Sequence, residues 1–136
     1  MGSFSDVPSL TAAGTIAPRR AVRASTGTGY TRHSGSQVSA ATDFVVGVTD
    51  GSTRNFSSAN HAEAGDAITL QGGAIVEVTT GSSSAIVCGA LLKVDTSGKF
   101  VVGGSASDIN WAVALEPSAA ADLIIRAKLL PAPRVT

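Results

Sequence analysis

Two histidines, one cysteine and a scatter of carboxylates are the side chains of this 136-residue chain that could carry out reactions. His33 and His61 both lie in polar loops. Neither has a Cys, His, Asp or Glu at a familiar metal-site spacing, although Glu63 is near His61. Distant loops could still converge on a zinc ion, but solvated loop histidines are the expected reading. A serine nucleophile needs a positioned base and an orienting group, and only two histidines are available for the many serines. No Gly-x-Ser-x-Gly elbow is present. Gly98-Lys99 resembles the end of a phosphate loop, but Lys93 stands where that loop needs Gly and Phe100 where it needs Ser or Thr. Gly27-Thr28-Gly29 lacks the third glycine of a dinucleotide fingerprint. Asp43, Asp50, Asp66, Asp108 and Asp122 fall mostly at turns, too dispersed to nominate an acid–base pair. Cys88 sits in an apolar run and reads as a small buried hydrophobe. Asn55-Phe56-Ser57 matches a glycosylation acceptor by accident. The expectation is a non-enzyme with no metal and no cofactor.

Residue types suited to contact are more informative. Arg19, Arg20 and Arg23 form the one cationic cluster. They could meet carboxylates of a partner, or could simply be a solvated strand edge that resists stray pairing. Tyr30, Arg32 and Arg54 lie in long polar loops and are candidates for contacts between subunits. Trp111 lies within an apolar strand and reads as core rather than contact.

Composition bounds these readings. Ten basic and ten acidic residues cancel, and only 15% of the chain is charged. That argues against a general nucleic-acid binder, which depends on neutralising phosphates. No apolar run approaches the ~18 residues of a membrane span. The first residues lack the basic flank and apolar stretch of a signal peptide, so export by a standard secretory route is not expected. One cysteine allows no internal disulfide. Small and β-branched residues with 15 glycines describe short strands and tight turns.

The elements that position these residues follow from pattern. Residues 1–18 carry isolated apolar side chains, Phe4, Val7, Leu10 and Ile16, between Pro8, Gly14 and Pro18. They fit neither period and read as an N-terminal arm, ordered against a partner or loosely packed. Residues 19–136 read as one β domain. Its expected strands begin at Arg19–Ser25, Gln37–Ala40 and Phe44–Thr49, the last closed by an Asp50-Gly51 turn. Ala67–Gln71 and Ala74–Thr79 read as a hairpin across Gly72-Gly73. A second hairpin joins Gly89–Val94 to Lys99–Val102. Trp111–Glu116 is a strand, and so is Leu123–Leu130, where Leu123, Ile125, Ala127 and Leu129 alternate with wetter neighbours. Pro131 and Pro133 are expected to stop it. Only residues 55–66 have room for a short helix. About eight short strands imply a small antiparallel β-barrel or sandwich.

There is a faint internal echo. Ala21–Ala24, Val45–Thr49 and Gly65–Leu70 recur in kind as Leu91–Val94, Ala112–Glu116 and Ala121–Arg126. Either the chain has two like halves, or Ala/Val-rich strands resemble one another by chance.

The order of these pieces over residues 14–130 resembles the capsid decoration (cement) proteins of tailed phages, of the small β-barrel kind. The likeness is carried by Ile16-Ala-Pro-Arg-Arg-Ala-Val22, Phe44-Val-Val-Gly-Val-Thr-Asp-Gly51, Glu63-Ala-Gly-Asp-Ala-Ile-Thr-Leu70, Cys88-Gly-Ala-Leu-Leu-Lys-Val94 and Trp111-Ala-Val-Ala-Leu-Glu116 with its following Asp122-Leu-Ile124 strand. It implies a virion protein on the outer capsid surface, binding the major capsid protein of an expanded head and itself, as a homotrimer or a dimer. Phe4, Val7, Leu10, Ile16, Arg19, Arg20 and Arg23 are then the candidate capsid contacts. A tail-tube or fibre domain is the alternative within the virion. A carbohydrate-binding module is less favoured, because such sites display exposed aromatics and this chain has one Trp and one Tyr.

Overall fold

The computed structural model describes residues 10–24, 34–55, 58–82 and 85–136. Ten strands and no helix occur among them. The first five are β1 Leu10–Ala12, β2 Ala21–Ala24, β3 Ser34–Gln37, β4 Val45–Val48 and β5 Ala67–Ile68. They form one sheet in the order β4-β2-β3-β1-β5. The second five are β6 Ile75–Thr79, β7 Leu91–Val94, β8 Phe100–Val102, β9 Ile109–Ala114 and β10 Ile124–Val135, in the order β6-β10-β9-β7-β8. Single bridges close each sheet on itself. Thr49 meets Leu70 beyond the ends of β4 and β5, and Thr80 meets Phe100 between β6 and β8. Each half is therefore a small five-stranded ring.

The two rings repeat each other strand for strand. Thr11↔Ala67 and Leu10↔Ile68 in the first correspond to Thr79↔Ile124 and Val78↔Ile125 in the second. The parallel contact Ala12↔Gly35 corresponds to Thr80↔Phe100. Val22↔Gln37 corresponds to Leu92↔Val102, and Val22↔Gly47 to Leu92↔Ala112. The bridge Ile16↔Ala62 corresponds to Ile86↔Ser118. Even the left-handed residues agree: Arg19 (φ 54°) with Gly89 (φ 89°), and Gly65 (φ 91°) with Asp122 (φ 62°). The fold is thus duplicated, held by pairing while most side chains diverge. The faint sequence echo has the right register for Ala21–Ala24, but pairing sets Gly47 with Ala112 and Gly65 with Asp122, two residues and one residue away from the echo's alignment.

Alternation explains which residues face inward. On β6 and β10, Val76, Val78, Ile125 and Ala127 are buried while Glu77, Ile124, Arg126 and Lys128 are exposed. The main core joins the rings: Val38, Val45 and Val48 of the first half pack with Leu92, Val94, Phe100, Trp111 and Ile125 of the second. A smaller cluster of Ala12, Ile16, Val22, Ala62 and Ile68 fills the first ring. The β7–β8 turn is docked on the first ring, where Ser97 O accepts from Arg20 Nη1 (3.1 Å) and Gln37 Nε2 (3.0 Å).

Several expectations are revised. Residues 67–79 are not a hairpin: β5 pairs with β1, β6 pairs with β10, and Gly72-Gly73 is the crossing between rings. Backbone-like bonds from the Gln71 side chain secure that crossing, with Nε2 donating to Thr49 O and Glu77 O and Oε1 accepting from Glu77 N. The later part of the expected arm is not an arm. Leu10–Ala12 is a strand between β3 and β5, and Ile16 is fully buried. Isolated apolar spacing misled because each residue enters a different pairing. No helix forms in the described part of residues 55–66. The prolines do not end β10. Its register shifts instead, with five steps from Leu129 to Arg134 matching two steps from Ala112 to Asn110 on β9. The extra length bulges at 130–133, where a missing N–H costs no ladder bond.

Candidate interaction surface

Ser52, Asp50 and His61 are brought together, the residue types of a hydrolytic triad. Their bonds are arranged for a different purpose. His61 is 5% exposed. Its Nε2 accepts from the Thr69 amide at 3.0 Å, and its Nδ1 lies 2.9 Å from Ser52 O. Nε2 must therefore carry the lone pair and Nδ1 the proton. Ser52 Oγ donates to Asp50 Oδ1, not to the imidazole. The nitrogen that could act as a base is occupied by backbone, so the trio clasps the 50–61 loop to β5's exit. The second ring performs the same task differently. The Arg126 amide, which corresponds to that of Thr69, donates to Glu116 Oε1 at 2.7 Å. The expected solvated histidine is thus a buried structural one. His33 lies outside the described residues.

The candidate contact residues separate into distinct places. Phe4, Val7, Tyr30 and Arg32 lie outside the described residues. Leu10 is half-buried in the first ring, and Ile16 has no surface left for a partner. The arginines hold the chain's own groups. Arg19 pairs with Glu77 across the rings (3.2 Å), Arg23 with Asp43 (3.3 Å), and Arg20 with Ser97 O. The Arg19 guanidinium lies over Gly51, where any Cβ would collide with it. Arg54 binds Asp66 (2.8 Å) and approaches Glu63 (3.8 Å). A backbone bond at Glu63 and the Arg54 guanidinium hold the Asp66 carboxyl below its usual range. Lys93 does the same for Asp108, and Lys99 for Asp122. For Glu116 the main cause is the Arg126 amide. Cys88, expected inside, is exposed.

One exposed surface is apolar. A groove of about 370 Å³ runs along the seam between the rings, lined by residues 44–47, Trp111 and residues 129–133. Phe44 is 66% exposed and Val46 41%, although β4 was expected to be buried throughout. Phe44 stands edge-on to Trp111, with ring centres 5.1 Å apart and planes at 80°. Trp111 is 7% exposed, so it is core as expected and also a wall of the groove. Its indole Nε1 has no hydrogen-bond partner. The β10 bulge forms the opposite wall. Asn110 secures it: Nδ2 donates to Arg134 O at 2.9 Å while Oδ1 accepts from Gly104 N at 3.0 Å. A Cβ at Gly103 would collide with that Oδ1. Sequence reading missed this site because it took an exposed Phe for core and a proline pair for a terminator. The signal available was Phe44 and Val46 sharing one parity on a strand whose neighbours Val45 and Gly47 share the other.

Among the described residues no group of three or more His, Cys, Asp or Glu is placed to hold a metal ion, and no helix is long and apolar enough to cross a membrane. No protein-family profile matches the sequence, and no curated protein matches it. Among solved structures, the chain is similar to the N base of the head fiber gp8.5 of bacteriophage phi29. The TM-score is 0.67 at 16% identity, covering 94% of this chain and 96% of that one. At that identity the likeness is one of fold, and it spans both rings.

Proposed function

We propose that this protein is a structural, non-enzymatic component of a tailed-phage virion that docks on the outer surface of the expanded head as a decoration (cement) protein. The observation that carries the reading is the whole-chain likeness to the base of a phage head fiber. An accessory protein on the outside of a head is what that likeness and the decoration-like sequence have in common. The duplicated, helix-free fold suits the task. Two rings sharing a core make a stiff body, and its internal cations are largely committed to internal carboxylates. The Ser52–His61 geometry is not that of a hydrolytic triad. The partners in this reading are the major capsid protein and further copies of the chain, as a homotrimer with a dimer as the alternative. Synthesis is in the host cytoplasm and the final location is the virion surface.

The base of a head fibre is the second reading, favoured directly by the same structural likeness. One experiment separates them. Purified protein is added to expanded heads of the encoding phage that lack it, and the particles are imaged by electron cryomicroscopy and challenged by heat. Ordered density at symmetry axes with a raised rupture temperature supports cement. Ordered density with unchanged rupture supports a fibre base. No binding to heads, with both components folded, overturns both.

A further inference from the structure

We infer that the seam groove is the docking site for an extended peptide segment of the capsid partner, apolar along its centre and carrying carboxylates toward its ends. This rests on the virion reading and adds the chemistry of the contact. Three observations converge on the groove. First, its two walls expose aromatic and aliphatic surface, chiefly Phe44, Val46 and the 130–133 bulge, which water does not solvate well. Second, unpaired charge flanks its β10 wall along the chain. Among the described residues Arg19, Arg23, Arg54, Lys93, Lys99 and Arg126 each have a carboxylate partner. The exposed side chains of Lys128 and Arg134 have no such pair, and they bracket the β10 wall, one residue before it and one after. A segment with acidic flanks satisfies both, whereas a wholly apolar or a basic one leaves them unmet. Third, the Trp111 indole N–H is a buried donor without an acceptor. The carbonyl of an extended backbone is the acceptor it lacks.

The bulge explains why the site exists only here. The residues of the first ring that correspond to the start of the bulge are Gly72-Gly73, where the chain leaves for the second ring. Only the second ring has length to spare for a wall, and Asn110 fixes it.

The test compares wild type with Phe44→Ser and with the pair Lys128→Glu/Arg134→Glu, each checked for folding by denaturation. Binding to expanded heads is measured over a salt series. Binding to tiled synthetic peptides of the major capsid protein is followed by the fluorescence of Trp111, the sole tryptophan. Phe44→Ser is expected to weaken head binding about thirtyfold, as loss of an aromatic anchor does. The charge-reversed pair is expected to weaken it about tenfold at low salt and less at high salt. Wild type should select peptides with an apolar run and acidic flanks, and the charge-reversed pair should prefer basic flanks. Failure of wild type to bind heads sinks the virion reading and this inference with it. Wild-type binding that both variants retain overturns the groove alone. So does selection of peptides without regard to flanking charge. A change in the protein's own solution mass in the variants, by light scattering, would make the occupant a second copy and also overturn it.

Discussion

The two rings share one pairing scheme and differ in what fills and fastens it. The first ring has a small core of Ala12, Ile16, Val22, Ala62 and Ile68, and leans on polar fastenings: His61 to Thr69, Arg54 to Asp66, and Thr49 Oγ1 to Ala17 O. The second is filled by larger side chains, Phe100, Leu92, Val94, Val76 and Val78, and its corresponding connection is short. Thirteen steps separate Thr49 from Ala62 in the first, against four from Ala114 to Ser118 in the second. The lesson is that a barrel of this size tolerates two solutions. One ties a long loop down with polar contacts, and the other shortens the loop and packs hydrophobes.

The largest effect should come from the packed ring. Phe100 is fully buried at the point where β8 meets Thr80, and Phe100→Ala is expected to cost about 3–5 kcal/mol. Ile16→Ala, at the bridge to Ala62, should cost about 2–4 kcal/mol in the smaller core. Urea unfolding reads both. Because the main core contains residues of both rings, each variant should still unfold in a single transition. Two resolved transitions would show that the rings are independent units.

The corresponding backbone amides offer a sharper contrast. His61→Ala removes the acceptor of the Thr69 N–H together with a buried imidazole, for a cost of about 1–3 kcal/mol. Glu116→Ala removes the acceptor of the corresponding Arg126 amide, but at an exposed position where water replaces it, so a smaller loss is expected. Equal costs from the two variants, measured by the same unfolding titration, would mean that burial does not distinguish the fastenings.

A smaller effect isolates the backbone. Gly89 and Arg19 hold corresponding left-handed positions. A Cβ at Gly89 meets nothing within 4 Å, so Gly89→Ala carries a conformational cost alone, about 1 kcal/mol. Arg19 bears the same strain while its guanidinium reaches Glu77 and packs over Gly51. Arg19→Gly should therefore gain less than Gly89→Ala loses, a difference that thermal unfolding resolves.

These contrasts also show what was legible beforehand. The all-β class, the β7–β8 hairpin around Asp95–Gly98 and the inward face of β10 follow from local signals, namely turn residues and parity. The doubling was visible only as a faint echo, because pairing geometry is conserved between the halves where side chains are not: Gly47 corresponds to Ala112 and Thr69 to Arg126. What sequence concealed is non-local. Gly72-Gly73 signals a turn whether the next strand returns to its neighbour or crosses to another ring. His61 reads as a loop residue until the loop is seen folded over Thr69. Cys88, in an apolar run, is exposed because that run is the connection between β6 and β7, not a strand.

The weakest prediction concerns charge, and it separates the rings by pH. Asp108, Asp122 and Glu116 in the second ring, and Asp66 in the first, have carboxyls held below their usual range by the hydrogen bonds and cations named above. A group with a depressed folded-state value takes up a proton more readily when unfolded. Its contribution is full above the unfolded value and is lost as pH falls through the folded one. Stability should therefore decline between about pH 5 and pH 2. Exposure and salt screening keep each contribution small. Three of the four groups lie in the second ring, so neutralising its cations through Lys93→Met and Lys99→Met should flatten the acid limb more than Arg54→Met does. Thermal unfolding of the variants across that range checks it. An acid limb flattened more by Arg54→Met would place the acid-sensitive fastening in the first ring, where the 50–61 loop, and not the packed strands, would then be the first part to give way.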